Sequence, residues 1–345
     1  MDLRSAKGGV TWLPAVADEP GAGMPRVVLA DRAACGEFAV LQRMLGRLGV
    51  PSVRIDVESV AALRLSAPLG GGSICVHGHA LAPAVVWARH LSPRAIPGTS
   101  DEVRSLVRAD SWCALIRQLT ALAPASLPGG APGRLEQLAG AAAAGVRVPR
   151  TIVTTDPGAA YAELPGDRVV VKVLDEHFVE TAPGLLVGVP PEILGREEAA
   201  RARPGFPVIV QEHVEHETEL RVYYLAGRVR AFAVRKSSPD AVWREAAGVT
   251  VAVVPPPRAA EDAVRRLAGL WGLAYGAFDL LLAGGEVVFL EVNADGDWRW
   301  FERRAGGRAV SAAAALMVRG LYLDAVGGTD ALPPPNVLDF LSLGL

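Results

Sequence analysis

Lysine is nearly missing from this 345-residue chain: of 35 basic residues only Lys7, Lys172 and Lys236 are lysine. A composition pressure has exchanged Lys for Arg wherever either serves. A surviving lysine is therefore informative, because its compact point charge differs from arginine's planar fork. Cysteine is scarce as well. Cys35, Cys75 and Cys113 lie far apart and form no CxxC pair, which excludes a disulfide-stapled scaffold and suits reduced thiols in the cytoplasm. As a set they read as ordinary buried small residues. Long apolar runs are absent: stretches such as Val310 to Val318 fall short of the ~18–20 residues that span a bilayer. Met1-Asp2-Leu3-Arg4 carries charge with no apolar segment behind it, so no signal peptide is expected. A strong charge of one sign is also lacking. The formal net charge of −2 argues against nonspecific nucleic-acid binding and leaves room only for a local basic channel. No internal repeat is visible.

What is present is a chain that is half hydrophobic and 21% charged, enough for two or three compact domains. Residues 1–24, rich in Gly, Ala and Pro, read as a loose N-terminal arm. Arg26 to Ala30 reads as a buried strand, Phe38 to Leu48 as a helix stopped at Gly49, Val53 to Asp56 as a second strand and Gly72 to Val76 as a third. That order is a small βαβ-type domain with a parallel sheet. Ser100 to Leu122 is a helix by its apolar spacing, residues 124–133 a loop, and Leu135 to Ala144 an Ala-rich helix. Strands follow at Val148 to Thr154, Arg168 to Leu174 and Val208 to Glu212. Leu220 to Leu225 and Arg228 to Arg235 form a hairpin at Ala226-Gly227; Ala259 to Leu270 is a helix. A last hairpin joins Phe278 to Leu282 with Val287 to Glu291, before a helix at Val310 to Leu323. An α+β catalytic unit behind a smaller α/β domain is the expected class.

The last hairpin carries the chemistry. With a three-residue loop, Gly284 to Glu286, Asp279 faces Glu291 across the ladder. Like charges so placed, with Cβ atoms ~4.5–5.5 Å apart, destabilise a sheet, and a divalent cation turns the repulsion into ligation. Asn293, two residues on, shares the face. Together they offer the hard oxygens suited to Mg²⁺ beside phosphates. With a two-residue loop Glu291 turns to the other face, so the reading depends on register; the alternative is a solvated hairpin face. Lys172 sits in an apolar strand, where a bound phosphate would compensate it or the side chain would snorkel at an edge. Gln211-Glu212 end a strand as a hinge for a base and a ribose does. Glu219, Arg221, Arg235 and Lys236 add charges on the next strands, where arginine can neutralise a transferring phosphoryl group or serve as plain surface charge. His77-Gly-His79 has no third ligand nearby, and Glu212 to Glu217 reads as a polar hinge, so neither is expected to hold a metal.

In this order, Lys172, Gln211-Glu212, Glu219-Leu-Arg221, Arg235, Asp279 and Glu291-Val-Asn293 resemble the ATP-grasp superfamily over residues 130–325. A narrower resemblance covers nearly the whole chain after the arm. Asn293-Ala-Asp-Gly-Asp-Trp298-Arg-Trp300-Phe-Glu302 is similar to the Asn-Pro-x-Gly-Gln-Trp-x-Trp-x-Glu segment of the ATP-grasp ribosomal peptide maturases, the microviridin-type or graspetide macrocyclases. Val148 to Pro157 resembles their Pro-x-Thr-x-x-Thr-x-Asp-Pro run, Val242-Trp243-Arg244 their Asp-Trp-Arg, Val86-Trp-Ala-Arg89 their Val-Trp-Tyr-Arg, and Arg26 to Asp56 their N-terminal domain. The resemblance implies an ATP-grasp fold: a pre-ATP-grasp βαβ domain over residues 25–125, a central lid subdomain over 126–215, a catalytic subdomain over 216–330 and a tail over 331–345. It implies ATP and Mg²⁺ as cofactors, with Asp279, Glu291 and Asn293 on the metal. Lys172, Arg134, Gln211, Glu212, Val214 and Glu219 would bind the nucleotide, and Lys172, Arg221 and Arg235 would act in catalysis. Trp243, Arg244, Trp298 and Trp300 fall on the substrate side; the last two would exclude water, hold peptide or pack a core. The implied partner is a leader-bearing precursor peptide, with no nucleic acid or membrane, and the implied assembly a cytoplasmic homodimer.

The implied reaction phosphorylates an Asp or Glu side chain of the precursor. A Ser, Thr or Lys of the same peptide then attacks, closing an ω-ester or ω-amide ring. Departures are visible. Arg134 stands where ATP-grasp enzymes usually carry a second lysine, Asp297 where these maturases have Gln, and Ala294 where they have Pro. Two further readings are a ligase joining a free amino acid or amine to a small carboxylate or peptide terminus, and a catalytically silent ATP-grasp fold that binds a peptide.

Overall fold

The computed structural model describes residues 9–13, 23–68, 70–175, 177–183, 185–236, 248–328 and 332. In chain order they form β1 (Val10–Leu13), β2 (Met24–Asp31), α1 (Glu37–Arg47), β3 (Ser52–Asp56), β4 (Leu65–Ser66), β5 (Ile74–Val76), β6 (His79–Ala88), α2 (Glu102–Leu119) and β7 (Ala125–Leu127). There follow α3 (Arg134–Ala143), β8 (Thr151–Thr154), α4 (Pro157–Glu163), β9 (Arg168–Val173), β10 (Phe178–Ala182), β11 (Leu185–Gly188), β12 (Glu192–Gly195), α5 (Arg196–Arg201) and β13 (Val208–Glu212). The chain continues through β14 (Thr218–Leu225), β15 (Arg228–Lys236), β16 (Val249–Val254), α6 (Arg258–Leu270), β17 (Tyr275–Ala283), β18 (Glu286–Asn293), α7 (Arg299–Ala305) and α8 (Ala309–Ala325). Two compact units result: one draws on residues 1–129, 180–185 and 297–345, the other on 130–179 and 186–296. Among the described residues no helix is long and apolar enough to cross a membrane.

The first unit is built on a sheet of order β1-β3-β2-β6-β5-β4, with β7 also paired to β6. β2 runs parallel to both β3 and β6. Its run Val27-Val-Leu-Ala30 is buried throughout, the pattern of a parallel strand covered on both faces. α1 and α8 pack together on one face. α2 closes the other, laying Ala109, Cys113, Ile116 and Leu119 on Val28, Ala30 and Val86. Three expectations change here. Part of the supposed arm is strand β1, paired with β3. The parallel partner beyond β2 is β6, whereas Ile74–Val76 is a short antiparallel neighbour of it. His77 and Gly78, both at positive φ, form the turn between these two strands. Finally, the segment from Asp297 onward, expected with residues 216–330, belongs to this unit, because the apolar face of α8 buries against α1 and β6.

The start of α8 has no side-chain cap of its own. Glu302 supplies one from α7: its carboxylate accepts from Ser311 N at 2.7 Å and from Ser311 Oγ at 2.6 Å. Ser311 Oγ in turn accepts from Trp298 Nε1 at 2.9 Å. Buried polar groups stripped of such partners cost about 1–3 kcal/mol each. Ser311→Ala should therefore destabilise the first unit by about 2–3 kcal/mol, read as a lower melting transition with unchanged far-ultraviolet dichroism before melting.

The second unit holds two antiparallel sheets, β12-β9-β13-β8 and β16-β15-β14-β17-β18. α4 and α5 back the first with Ala160, Tyr161, Leu164 and Ala199. α3 and α6 back the second. The buried face of α6, Ala260, Ala263, Val264, Leu267 and Ala268, has the i, i+3, i+4, i+7, i+8 spacing of an amphipathic helix, and it packs on Leu220, Val222, Phe278 and Phe289. The opposite faces carry Lys172, Gln211, Glu219, Arg221 and Asp279 among buried apolar residues such as Ile209, Phe232 and Leu281.

The β17–β18 hairpin departs from the expected loop and still delivers the expected pair. Gly284 and Gly285 both have positive φ, +58° and +81°, the signature of a two-residue turn that glycine permits. Pairing starts at Ala283↔Glu286 and runs to Leu280↔Phe289, the register that would turn Glu291 away. A β-bulge then intervenes: Leu290 is passed over, and Asp279 pairs with Glu291.

Candidate active site

Asp279, Glu291 and Asn293 share one face of the five-stranded sheet, as alternation along β17 and β18 requires. Asn293 Nδ2 lies 3.2 Å from Asp279 Oδ2 and 3.3 Å from Glu291 Oε1, bridging the opposed carboxylates. Asp279 Oδ1 is buried with no hydrogen-bond partner, an unmet acceptor of the kind that native structures rarely leave without an ion or water. Three hard-oxygen side chains and one unfilled buried oxygen fit a magnesium ion.

Cations surround this pair. Arg134, at the first turn of α3, is ion-paired with Glu291 Oε2. Lys172 Nζ, reaching from β9, lies 3.6 Å from the same oxygen, and His177 Nε2 lies 3.7 Å from it. Arg221 Nη1, on β14 directly opposite Asp279, donates to Asp279 Oδ2 at 2.7 Å, and its Nε donates to Tyr223 Oη at 3.4 Å. Next along the face, Glu219 pairs with Lys236 Nζ at 2.8 Å and with His216 Nε2 at 3.4 Å. Lys172 and Arg221 are 7% and 8% exposed, a depth at which a charge persists only when paired. Four cationic side chains face three carboxylates in this row, leaving a site slightly positive before any ligand enters.

The titration of these groups follows their surroundings. Burial pushes Lys172 below its ordinary value, against the pull of Glu291. Burial also raises Asp279, aided by the charge of Glu291 and opposed by Arg221. Glu291 goes the other way: burial would raise it, but His177, Lys172 and Arg134 together hold it well below the usual carboxylate range. Two facing carboxylates in different electrostatic settings are thereby given different proton affinities.

Lys172, Arg134, Asp279, Glu291, Asn293, Arg221 and Glu219 thus converge. Gln211 shares the face of Lys172 but is tied to Thr151 Oγ1 at 2.9 Å. Glu212 lies on the opposite face of β13 and receives nothing from these groups; its N–H donates to the Arg150 carbonyl. Val214 packs on Leu281, Ala283 and Val288 beside the site, and its carbonyl accepts from His216 Nδ1. Arg235 is not in the cluster. Glu219 pairs with Val234, so the period of two turns Arg235 to the other face, where it is exposed near the strand end, and the cation on the site face is its neighbour Lys236. Trp243 and Arg244 lie outside the described residues. Trp298 is wholly buried in the first unit, stacked on Trp87 at 5.8 Å; it packs a core and has no surface to offer a peptide. Trp300 is half-buried against Phe301 and Arg304.

Sequence reasoning gave no site role to His177 and His216, and left Lys236 as an added charge beside Arg235. Lys236 had a signal, being one of three surviving lysines. His177 and His216 had none, since each reaches the site from an irregular segment whose path no periodicity reports.

Gly296 closes the floor. A Cβ there would lie 2.4 Å from the Ala277 Cβ and 2.8 Å from Arg221 Nη2, distances that demand displacement. Its carbonyl also accepts from Tyr275 Oη. Gly296→Ala should cost about 1–3 kcal/mol through overpacking and push Arg221 off Asp279. The check is a lower melting temperature by calorimetry.

No protein-family model and no curated protein matches this chain. Solved structures do. The macrocyclase MdnC bound with precursor peptide MdnA, from Microcystis aeruginosa, superposes with a TM-score of 0.70 at 20% identity, covering 86% of this chain and all of that one. The ATP-grasp ligase PsnB, complexed with a minimal precursor, Mg and ADP, gives 0.67 at 22% identity over 86% of this chain and 98% of its own. A D-alanyl-alanine synthetase from Vibrio cholerae gives 0.55 at 12% identity over 88% and 100%. The fold is that of the ATP-grasp ligases, with α/β and α+β parts as expected, and it resembles the peptide-maturing members.

Proposed function

We propose that this protein is an ADP-forming ATP-grasp ligase that phosphorylates an Asp or Glu side chain of a ribosomal precursor peptide and closes an ω-ester or ω-amide ring. The observation that carries the proposal is the Asp279–Glu291 pair, held face to face by a bulge and ringed by Lys172, Arg134 and Arg221. Its fold neighbours MdnC and PsnB were captured with precursor peptides, and PsnB also with Mg and ADP, which supports a peptide substrate and a nucleotide–metal site.

Asp279, Glu291 and Asn293 would hold Mg²⁺, which when bound neutralises phosphate charge and aligns the transferring group. The side chains do the rest. Arg134 and Lys172, resting on Glu291 here, are the cations within reach of phosphate oxygens. Arg221, anchored by Asp279 and Tyr223, spreads the charge of the γ-phosphoryl as it passes to the peptide carboxylate. The resulting acyl phosphate is attacked by a hydroxyl or amine of the same peptide. The carbonyl carbon gains the new O–C or N–C bond, phosphate leaves, and the nucleophile's proton goes to solvent or phosphate. Positioning matters more than a strong base for so activated an acyl group.

The experiment is ADP release with Mg-ATP, run beside mass spectrometry of each peptide encoded next to this gene. Loss of one water per ring with stoichiometric ADP is the expected result. ADP release only with added free amino acids or amines, and no dehydrated peptide, would replace this reading with a small-molecule ligase. Absence of ATP binding would leave a silent fold.

A further inference from the structure

We infer that the first unit carries a second, transition-metal site of zinc type, formed by Asp31, Cys35 and His90 where strands β2 and β6 end. The position is the first argument. β2 is flanked by β3 on one side and β6 on the other, all parallel. The connections leaving β2 and β6 therefore diverge, and the crevice between their carboxyl ends is where open α/β sheets bind ligands. Asp31 is the last residue of β2, Cys35 lies in the loop that follows, and His90 follows the end of β6.

The donor set is the second argument. Asp31, Cys35 and His90 each offer a ligand atom within 4.8 Å of the other two, and Cys35 belongs to a second such group with Glu37 and Asp297. Carboxylate, thiolate and imidazole together select zinc over magnesium or calcium, and three protein ligands leave one position open. His90 holds φ at +48°, a backbone uncommon for residues other than glycine.

Charge and unmet hydrogen bonding supply the third. Asp31 and Glu37 are 2% and 3% exposed, yet Asp31 Oδ2 and Glu37 Oε2 have no hydrogen-bond partner. Arg89, fully buried, donates to Asp297 at 2.5 Å, lies 2.9 Å from His90 Nε2 and pairs through Nη1 with Asp31 Oδ2 at the longer distance of 3.9 Å; His90 Nε2 also lies 3.0 Å from Asp297 Oδ1. Arg32 is paired with Glu180, and Arg299 Nη1 donates to the Cys35 carbonyl at 3.5 Å. The carboxylates of Asp31, Glu37 and Asp297 gather around Arg89, and the buried oxygens of Asp31 and Glu37 without hydrogen bonds are acceptors that a divalent cation would satisfy. On binding, the Cys35 thiol gives its proton to solvent as the sulfur–metal bond forms.

Cobalt tests this without reference to ligase activity. Chelator-stripped full-length protein titrated with Co²⁺ alone should take one ion into a site with a thiolate-to-cobalt charge-transfer absorption, displaced by Zn²⁺. Cys35→Ser should abolish that absorption, and His90→Gln or Asp31→Asn should weaken Co²⁺ binding at least tenfold. Cys75→Ser and Glu291→Gln should leave the absorption in place, the latter separating this site from the Asp279–Glu291 pair. A second measurement needs no variant: Zn²⁺ should slow alkylation of Cys35 at least tenfold in wild-type protein, with no change at Cys75. Failure of the absorption to appear, its persistence in Cys35→Ser, its loss in Glu291→Gln, or equal alkylation of Cys35 with and without Zn²⁺ would each overturn the assignment.

Discussion

Glu291→Gln should reduce peptide-dependent ADP release and ring closure together, by on the order of 10³-fold, the upper range for removal of one preorganised electrostatic group. The substitution keeps the shape but deletes the charge that Arg134, Lys172 and His177 share and turns one acceptor oxygen into a donor that faces donors. Lys172, already pushed down by burial, loses the partner that keeps it protonated. Removing one member of a buried ion pair typically costs about 3–5 kcal/mol. A lower melting transition should therefore accompany the loss of activity, while the far-ultraviolet spectrum stays native. Added Mg²⁺ should not rescue the variant, because a ligand is missing and not merely undersaturated. Retention of more than a tenth of the wild-type rate would remove Glu291 from the metal and phosphate machinery.

Arg221→Met should be nearly as damaging, on the order of 10²–10³-fold in turnover, for a different reason. Asp279 then keeps only the Asn293 amide, facing Glu291 in a buried setting that already raises its proton affinity. One proton shared between the two carboxylates is the expected outcome. Arg221→Lys should not restore activity, since a point charge cannot serve Asp279 and Tyr223 from one planar group. Arg235→Met is the matched comparison. At an exposed position near the end of β15, on the face away from the site, it should alter stability by no more than about 0.5 kcal/mol and leave turnover within the error of the assay. Equal losses at Arg221 and Arg235 would mean that the strand register of β15 is wrong.

Legibility in the sequence followed periodicity. β13, β14, β15, α6 and β18 were readable within a few residues because their apolar spacing is regular and Gly or Pro marks their ends. The opposed carboxylates were readable because such a pair is costly in an apolar hairpin without a ligand. Arg235 was misplaced because a run of two adjacent cations, Arg235-Lys236, gives no indication of which faces inward; only the pairing of Glu219 with Val234 decides it. β6 was missed because His79, Ala80 and Pro83 dilute its start, although its later residues are the buried centre of the sheet. Glu302 reads as part of a functional segment, yet in the fold its carboxylate ends a helix. A motif's residue types identify the family resemblance without saying which members touch substrate and which hold the scaffold.

The bulge at Leu290 also bears on spacing. Around a two-residue turn, residues directly opposed across a regular antiparallel ladder are always an odd number of positions apart, as Ala283 and Glu286 are. Asp279 and Glu291 are separated by an even number, so parity alone requires one skipped residue between the turn and the carboxylates. An otherwise similar chain lacking Leu290 would oppose the same two acids at odd spacing, and one with a three-residue turn would do so at even spacing with a flat ladder. The distance between the two acids along the chain is thus free to vary by one, provided turn length and bulge vary with it; what is held constant is phase.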